Sequence, residues 1–280
     1  MLINSIKMQM SVLLSKKNVV FLFFALLLLM LTNYFSNVFN YSGTDILDMM
    51  HPMMLLTLST YSSNSFYLMQ LYPLLIIIPA GLSYFNDKNS QEMLLIQTRV
   101  GGKNYFLGKM IAVFLVTFLV FATPFLIEII LNIIAFPLSA TGHVTGSNVY
   151  ELNRILGARS QLLYPLYAHS KYLYALVFTV IFGITSGILA VFAVSFSMIV
   201  KVNYGISIFL PTYLLFYLLG MAEQVLNLSI QTRHSSYLLL FNIGPSEDFR
   251  LSGLAYFMFM FILFSISAFI FRKKAKEDMI

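Results

Sequence analysis

The chain has 280 residues, 59% of them hydrophobic and only 10% charged, against roughly 25% charged in a soluble domain. So few charges cannot cover a water-facing surface, so lipid has to serve as the solvent for most of the chain. Cysteine is absent, which excludes a disulfide framework, a thiol nucleophile and a thiolate metal site.

In residues 1–18, Ile3, Ile6, Met10, Leu13 and Leu14 recur at helical spacing, with Asn4, Lys7, Ser11 and Lys16 between them. This predicts an amphipathic helix lying in the inner membrane interface. Lys16 and Lys17 then precede an apolar run from Val19 to Phe35. The run looks like a signal peptide, but its exit, TNYFSNVFN, has no small-x-small cleavage site, so it reads as an uncleaved first span.

Six segments approach the ~20 residues that cross a bilayer: 19–35, 66–85, 106–136, 172–200, 204–222 and 251–271. Pro124 and Pro211 are expected kink points in the third and fifth. With the N-terminus inside, the inner segments hold Lys7, Lys16, Lys17, Lys88, Arg99, Lys103, Lys109, Lys201, Arg272, Lys273, Lys274 and Lys276. The outer segments hold Arg154, Arg159, Lys171, Arg233 and Arg250, and the first outer connection, 36–65, has no Lys or Arg. The bias places both termini in the cytoplasm. It also accounts for the net charge of +6 without nucleic acid as a partner. The expected fold is therefore all-α: a single polytopic integral membrane domain over 1–280 with six transmembrane helices.

Residues 86–109, NDKNSQEMLLIQTRVGGKNYFLGK, form the only long charged segment between two membrane-length apolar runs. Met93, Leu94, Leu95 and Ile96 make an apolar patch among Asp87, Lys88, Gln91, Glu92, Arg99 and Lys103, and Gly101-Gly102 breaks the pattern. One reading is a docking helix, at about 87–103, that fits a groove in a cytoplasmic partner. The other is a solvated loop whose helix rests on lipid. The GGK at 101–103 is no phosphate-binding loop: Gln97 stands where the first glycine belongs and Asn104 where Ser or Thr should hold magnesium. If ATP drives this protein, another chain binds it.

Glu128 is the only acidic residue deep in an apolar run. At roughly 30 Å from the inner end of its helix, it belongs near the outer interface. It is either a packing residue beside Asn132 or part of an outer substrate vestibule. Gly183 and Gly187 form a GxxxG pair, extended by Ala190 and Ala193, for close helix packing within the subunit or at a subunit interface. The connections 137–170 and 223–250 are outer loops. The second carries an apolar patch at 237–243, too short to span, which is either re-entrant or a buried piece of loop.

The four histidines, at 51, 143, 169 and 234, lie in outer loops without HExxH spacing, so no metal site is expected. No GxSxG or comparable nucleophile arrangement is present. The chain is not expected to be an enzyme.

The layout resembles a bacterial ATP-binding cassette permease of the type-2 exporter class. The similarity covers an amphipathic start, six spans, a cytoplasmic helix between spans two and three, and apolar re-entrant material before span six. The residues that carry it are Asp87, Glu92 followed by Leu94 and Leu95, Arg99, and Gly108-Lys109 opening span three. Asn89-Ser90 and Gln97-Thr98 stand where that family often has Gly-Thr and Pro. The resemblance implies a coupling helix seated on an ATPase subunit, with Asp87, Glu92, Arg99 and Lys103 for docking and Lys109 anchoring span three at the inner headgroups. It implies two ATPase subunits that hold the ATP and magnesium, a second permease copy or a sister permease, and a multi-pass location in the bacterial cell membrane. The cargo would be hydrophobic or amphipathic: a peptide, an antibiotic or a lipid-like molecule. The alternatives are an ion-coupled secondary transporter, or a non-transporting membrane immunity or sensor protein.

Overall fold

The computed structural model describes residues 2–46, 49–59, 62–139, 163–200, 205–225 and 249–277. The described residues form helices and connections with no strand. The helices are α1 (Leu2–Leu14), α2 (Lys17–Asn40), α3 (Ser63–Leu75), α4 (Ile77–Ala80), α5 (Ser83–Asn89), α6 (Glu92–Val100), α7 (Gly102–Ala135), α8 (Tyr164–His169), α9 (Lys171–Ile199), α10 (Leu210–Val225) and α11 (Phe249–Glu277).

Four helical stretches are long and apolar enough to cross a membrane: Lys17–Asn40, Gly102–Ala135, Lys171–Ile199 and Tyr256–Glu277. They account for the first, third, fourth and sixth expected spans. The second is broken. Ser63–Ala80 and Ser83–Asn89 meet at 41°, where Pro79 lacks a backbone donor and the helix stops before Gly81. Counted as one span, this pair would be a fifth. The expected fifth span, 204–222, is represented by α10, which has 16 residues and is short for a bilayer on its own. The patch at 237–243, the connection around Arg154 and Arg159, and Lys201 and Arg233 lie outside the described residues.

The axis of the fold is α7, 34 residues long and so about 51 Å from end to end. It packs against α1, α2, α9 and α11. α9 runs antiparallel to it: Gly187 faces Phe114, and Gly183 faces Phe118 and Ala122. α11 runs parallel to α9, since Thr185 bonds Tyr256 at 2.6 Å and Ser195 bonds Ser267 at 3.4 Å. One pole of the bundle therefore holds α1, α6, the start of α7 and the end of α11. The other holds the end of α7, the start of α9 and the connection between α2 and α3.

Between the poles the core is aromatic. Tyr72 stacks on Phe182 at 5.1 Å and meets Phe121 edge-on at 5.9 Å, while its hydroxyl bonds Ser186 at 2.8 Å. That bond lets a polar atom sit in an apolar interior without an unmet partner. α2 buries one stripe, Val19, Leu22, Leu26, Met30 and Asn33. It leaves Phe21, Phe24, Leu28 and Phe39 exposed, as a helix bathed in lipid does.

α1 is the expected helix, and the stripe it buries against the protein is Ser5, Gln9 and Leu13, mostly polar. Ile3, Met8, Val12 and Leu14 point outward, Ile3 at 67% exposure. The apolar face is thus free for lipid, and the polar face finds backbone acceptors on α7.

Candidate functional site

The segment singled out in the sequence is not one helix but a folded unit of α5, α6 and the first turns of α7. Two left-handed residues bracket α6: Gln91 at φ 59° before it and Gly101 at φ 84° after it. Glycine adopts that conformation without strain, so the chain can turn sharply from α6 into α7. Glu92 sits in the first turn of α6 and Arg99 in the last, an order that suits the helix dipole.

At the base of the unit, Lys109 Nζ donates to Asp87 Oδ2 at 2.7 Å, and the Tyr105 hydroxyl donates to the same oxygen at 2.7 Å. Asp87 is 4% exposed, Lys109 3% and Tyr105 0%. This corrects the expectation for two residues. Asp87 does not face a partner and Lys109 does not reach for headgroups, because each neutralises the other inside the protein. A charge held this far from water needs such a partner.

The other three expected docking residues, Glu92, Arg99 and Lys103, are exposed. None makes a hydrogen bond or ion pair with a described residue. Leu94 and Leu95 are 60% and 64% exposed, whereas Met93 and Ile96 lean on the core. Glu92, Leu95 and Arg99 share one helix face. α6 therefore carries an outward surface of two leucines between an anion and a cation.

α1 braces the same joint. Ser5 Oγ donates to the Asn104 carbonyl at 3.0 Å, and Gln9 Nε2 donates to the Tyr105 carbonyl at 3.0 Å. Gly108 makes the approach fit: a Cβ there would stand 2.6 Å from Ser5 Oγ. The residues that receive α1 (104, 105 and 108) interleave with those that grip Asp87 (105 and 109).

Glu128 lies at the opposite pole and is 0% exposed. It is not a water-facing vestibule group. Its Oε1 accepts from Thr57 N, the Thr57 hydroxyl and Asn33 Nδ2, each at 2.9 Å, and its Oε2 accepts from Thr57 N at 3.1 Å. Asn132, one turn on, donates to the Glu128 backbone carbonyl at 2.9 Å, not to its carboxyl group. Nearby, His51 Nδ1 accepts from Met53 N at 3.2 Å. Burial, with Lys171 close by, pushes the pKa of His51 down to about 3, so it is neutral at pH 7.

Gly183 and Gly187 seat α9 against Phe114, Phe118 and Ala122 of α7, which is packing within the chain. Among the described residues no three His, Cys, Asp or Glu side chains gather as a metal site would need.

Sequence reasoning missed Ser5, Gln9, Asn33, Thr57 and Tyr105. Asn33 carried a signal, as an amide near the end of an apolar run. Gly108 carried another, since a glycine one turn into a long helix often marks a close approach. No family model, curated protein or solved structure matches the chain.

Proposed function

We propose that the chain is the membrane subunit of an ATP-driven exporter in the bacterial cell membrane, with α6 as the helix through which a separate ATPase acts. The observation that carries this reading is the contrast within one short unit. Asp87, Tyr105 and Lys109 lock the base, while Glu92, Leu94, Leu95, Arg99 and Lys103 are left outward. A solvated loop needs no buried ion pair at its root. A lever does, because force on its tip reaches the bundle only if the root is stiff.

The pole bearing α6 is the cytoplasmic one. Lys7, Lys16, Lys17, Lys88, Arg99, Lys103 and Lys109 gather there, with Arg272, Lys273, Lys274 and Lys276 at the end of α11, as cytoplasmic ends do. α1 and the end of α11 lie on that side, and six spans result if the bent α3–α5 pair and α10 each cross the membrane. ATP and magnesium belong to the ATPase subunits. A second copy of the chain, or a sister permease, completes the transporter. Nucleotide binding shifts the balance of inward- and outward-facing states because the ATPase pair holds α6 differently in each. The cargo is a hydrophobic or amphipathic molecule.

An ion-coupled transporter would use Glu128, the single carboxylate deep in an apolar helix. Its complete set of hydrogen bonds to Thr57 and Asn33 gives that alternative less support. The test is charge reversal on the lever. Glu92→Lys and Arg99→Glu each lower substrate-stimulated ATP hydrolysis of the reconstituted complex while membrane insertion stays normal. Unchanged hydrolysis in both variants counts against the reading.

A further inference from the structure

The connection between α2 and α3 is built unlike a loop. In 49–59 every residue except Met50 and Met54 is buried, Thr57 and Ser59 at 0% exposure. Yet its only regular structure is one 3₁₀ turn, Pro52–Met54. Its backbone groups still need partners. Turns within it supply some, Met54 N to the His51 carbonyl, Leu55 N to that of Pro52 and Ser59 N to that of Leu56, and the helices around it supply others. Asn33 and Asn37 of α2 both donate to the Leu55 carbonyl, at 2.8 and 3.0 Å. Glu128 of α7 takes both the N–H and the hydroxyl of Thr57. On the α9 side, the His51 ring meets Tyr172 edge-on at 5.1 Å. Met53 and Leu56 sit on Ile129 of α7 and Ala175 of α9.

The segment thus fills the space between three helices at the pole away from α6. Residues 42–46, leading into it, are exposed. They include Gly43 at φ +80° with nothing within 4 Å of a Cβ placed there. The exposed strap gives the buried segment slack on its N-terminal side, where few contacts have to break for it to move.

We propose that residues 49–59 are a plug that closes this pole and lifts as a unit when Glu128 releases Thr57. Glu128 is the latch because its carboxyl group holds two Thr57 donors at once, the backbone N–H and the hydroxyl. Among the described residues the other charged or titratable groups facing the segment are His51 within it, Tyr41 at the end of α2 beside Met49, Lys171 and Tyr172 of α9, and Tyr167 of α8, whose hydroxyl reaches Met54 Sδ at 3.6 Å. The inference rests on the exporter reading in one respect: the plug is then the exit gate, and its release belongs to the outward-facing state.

The absence of cysteine from the chain makes the test direct. Single Met53→Cys and Ile129→Cys variants report on the plug and on the α7 surface beneath it. In membranes both should resist a membrane-impermeant maleimide. Adding Glu128→Gln should speed labelling at both positions about tenfold or more. Thr57→Val, which removes the hydroxyl but keeps the N–H, should give a smaller increase at both. Labelling at position 53 without labelling at 129 would mean local fraying and would overturn the plug, as would protection of both sites in both latch variants. Should Glu128→Gln fail to accumulate in the membrane, Thr57→Val decides alone. These arms use the chain without any ATPase. A further arm adds ATP to membranes holding the whole transporter, where labelling at 129 should rise. A plug released by the latch variants but indifferent to ATP would overturn its role as exit gate and leave the plug itself standing.

Discussion

Asp87 and Lys109 are 22 residues apart in sequence, yet their side chains meet at 2.7 Å in the protein interior. Between them lie the end of α5, all of α6 and the opening of α7. The ion pair therefore closes the base of that unit as a clasp would. Tyr105 adds a second donor to the same carboxylate oxygen.

The clasp predicts a particular pattern of mutant effects. Lys109→Met leaves Asp87 buried without a counter-charge and should destabilise the folded protein by about 3–5 kcal/mol. The double variant Asp87→Leu/Lys109→Met, with no charge left to strand, should recover most of that loss. It should also keep binding to the proposed ATPase, because neither side chain is exposed. Thermal unfolding in detergent and co-purification measure the two effects. A double variant that folds but no longer binds would return Asp87 and Lys109 to the docking surface.

The brace from α1 predicts a specific rescue. Gly108→Ala sets a methyl group against Ser5 Oγ and should cost about 1–3 kcal/mol, in the range of overpacking. Ser5→Ala removes the nearest clashing atom, so the pair should be less destabilised than the sum of its single variants. A double-mutant cycle on thermal stability reads this coupling directly. Strict additivity would mean that α1 does not rest on Gly108.

Much of this was legible in the sequence, and the failures have physical causes. The long helices follow from apolar runs that only a membrane accommodates, and α2, α7, α9 and α11 fall where those runs are. The break in the second span was not foreseen, because Phe66 to Phe85 reads as continuous when Pro79 and Gly81 are weighed by hydropathy alone. For α1 the helix and an apolar side turned to lipid were predictable from the spacing; that Ser5 and Gln9 have α7 carbonyls to reach was not. Asp87 and Glu92 look alike as charges in a polar segment. Only the fold separates the one that finds Lys109 from the one left outward. Glu128 was placed near the correct pole by counting residues, but its partner Thr57 lies 71 positions away, beyond any local pattern.

Acidification should loosen the segment 49–59. Burial and then Lys171 lower the His51 pKa to about 3 from an ordinary 6.5. A released His51 takes up a proton below about pH 6.5, while the packed form stays neutral down to about 3. At His51 the open form therefore binds more protons across that window, and the His51 contribution to stability of the packed form falls as pH drops through it. Protection of 49–59 against hydrogen exchange, corrected for the slower intrinsic exchange of amides in acid, should be lower at pH 5 than at pH 7.5. His51→Asn, whose side-chain oxygen can still accept from Met53 N, should flatten the dependence. An unchanged slope in His51→Asn would assign the effect to another group.

The central claim is that α6 is held by a nucleotide-hydrolysing partner. It is tested most directly by a photo-crosslinking side chain in place of Leu95, at the centre of the exposed face, in cells producing the native partners. The account predicts one dominant protein adduct, an ATPase with a phosphate-binding loop, weakened when Arg99→Glu is added. Adducts to lipid alone, or labelling that shows position 95 on the outer side of the membrane, would contradict it.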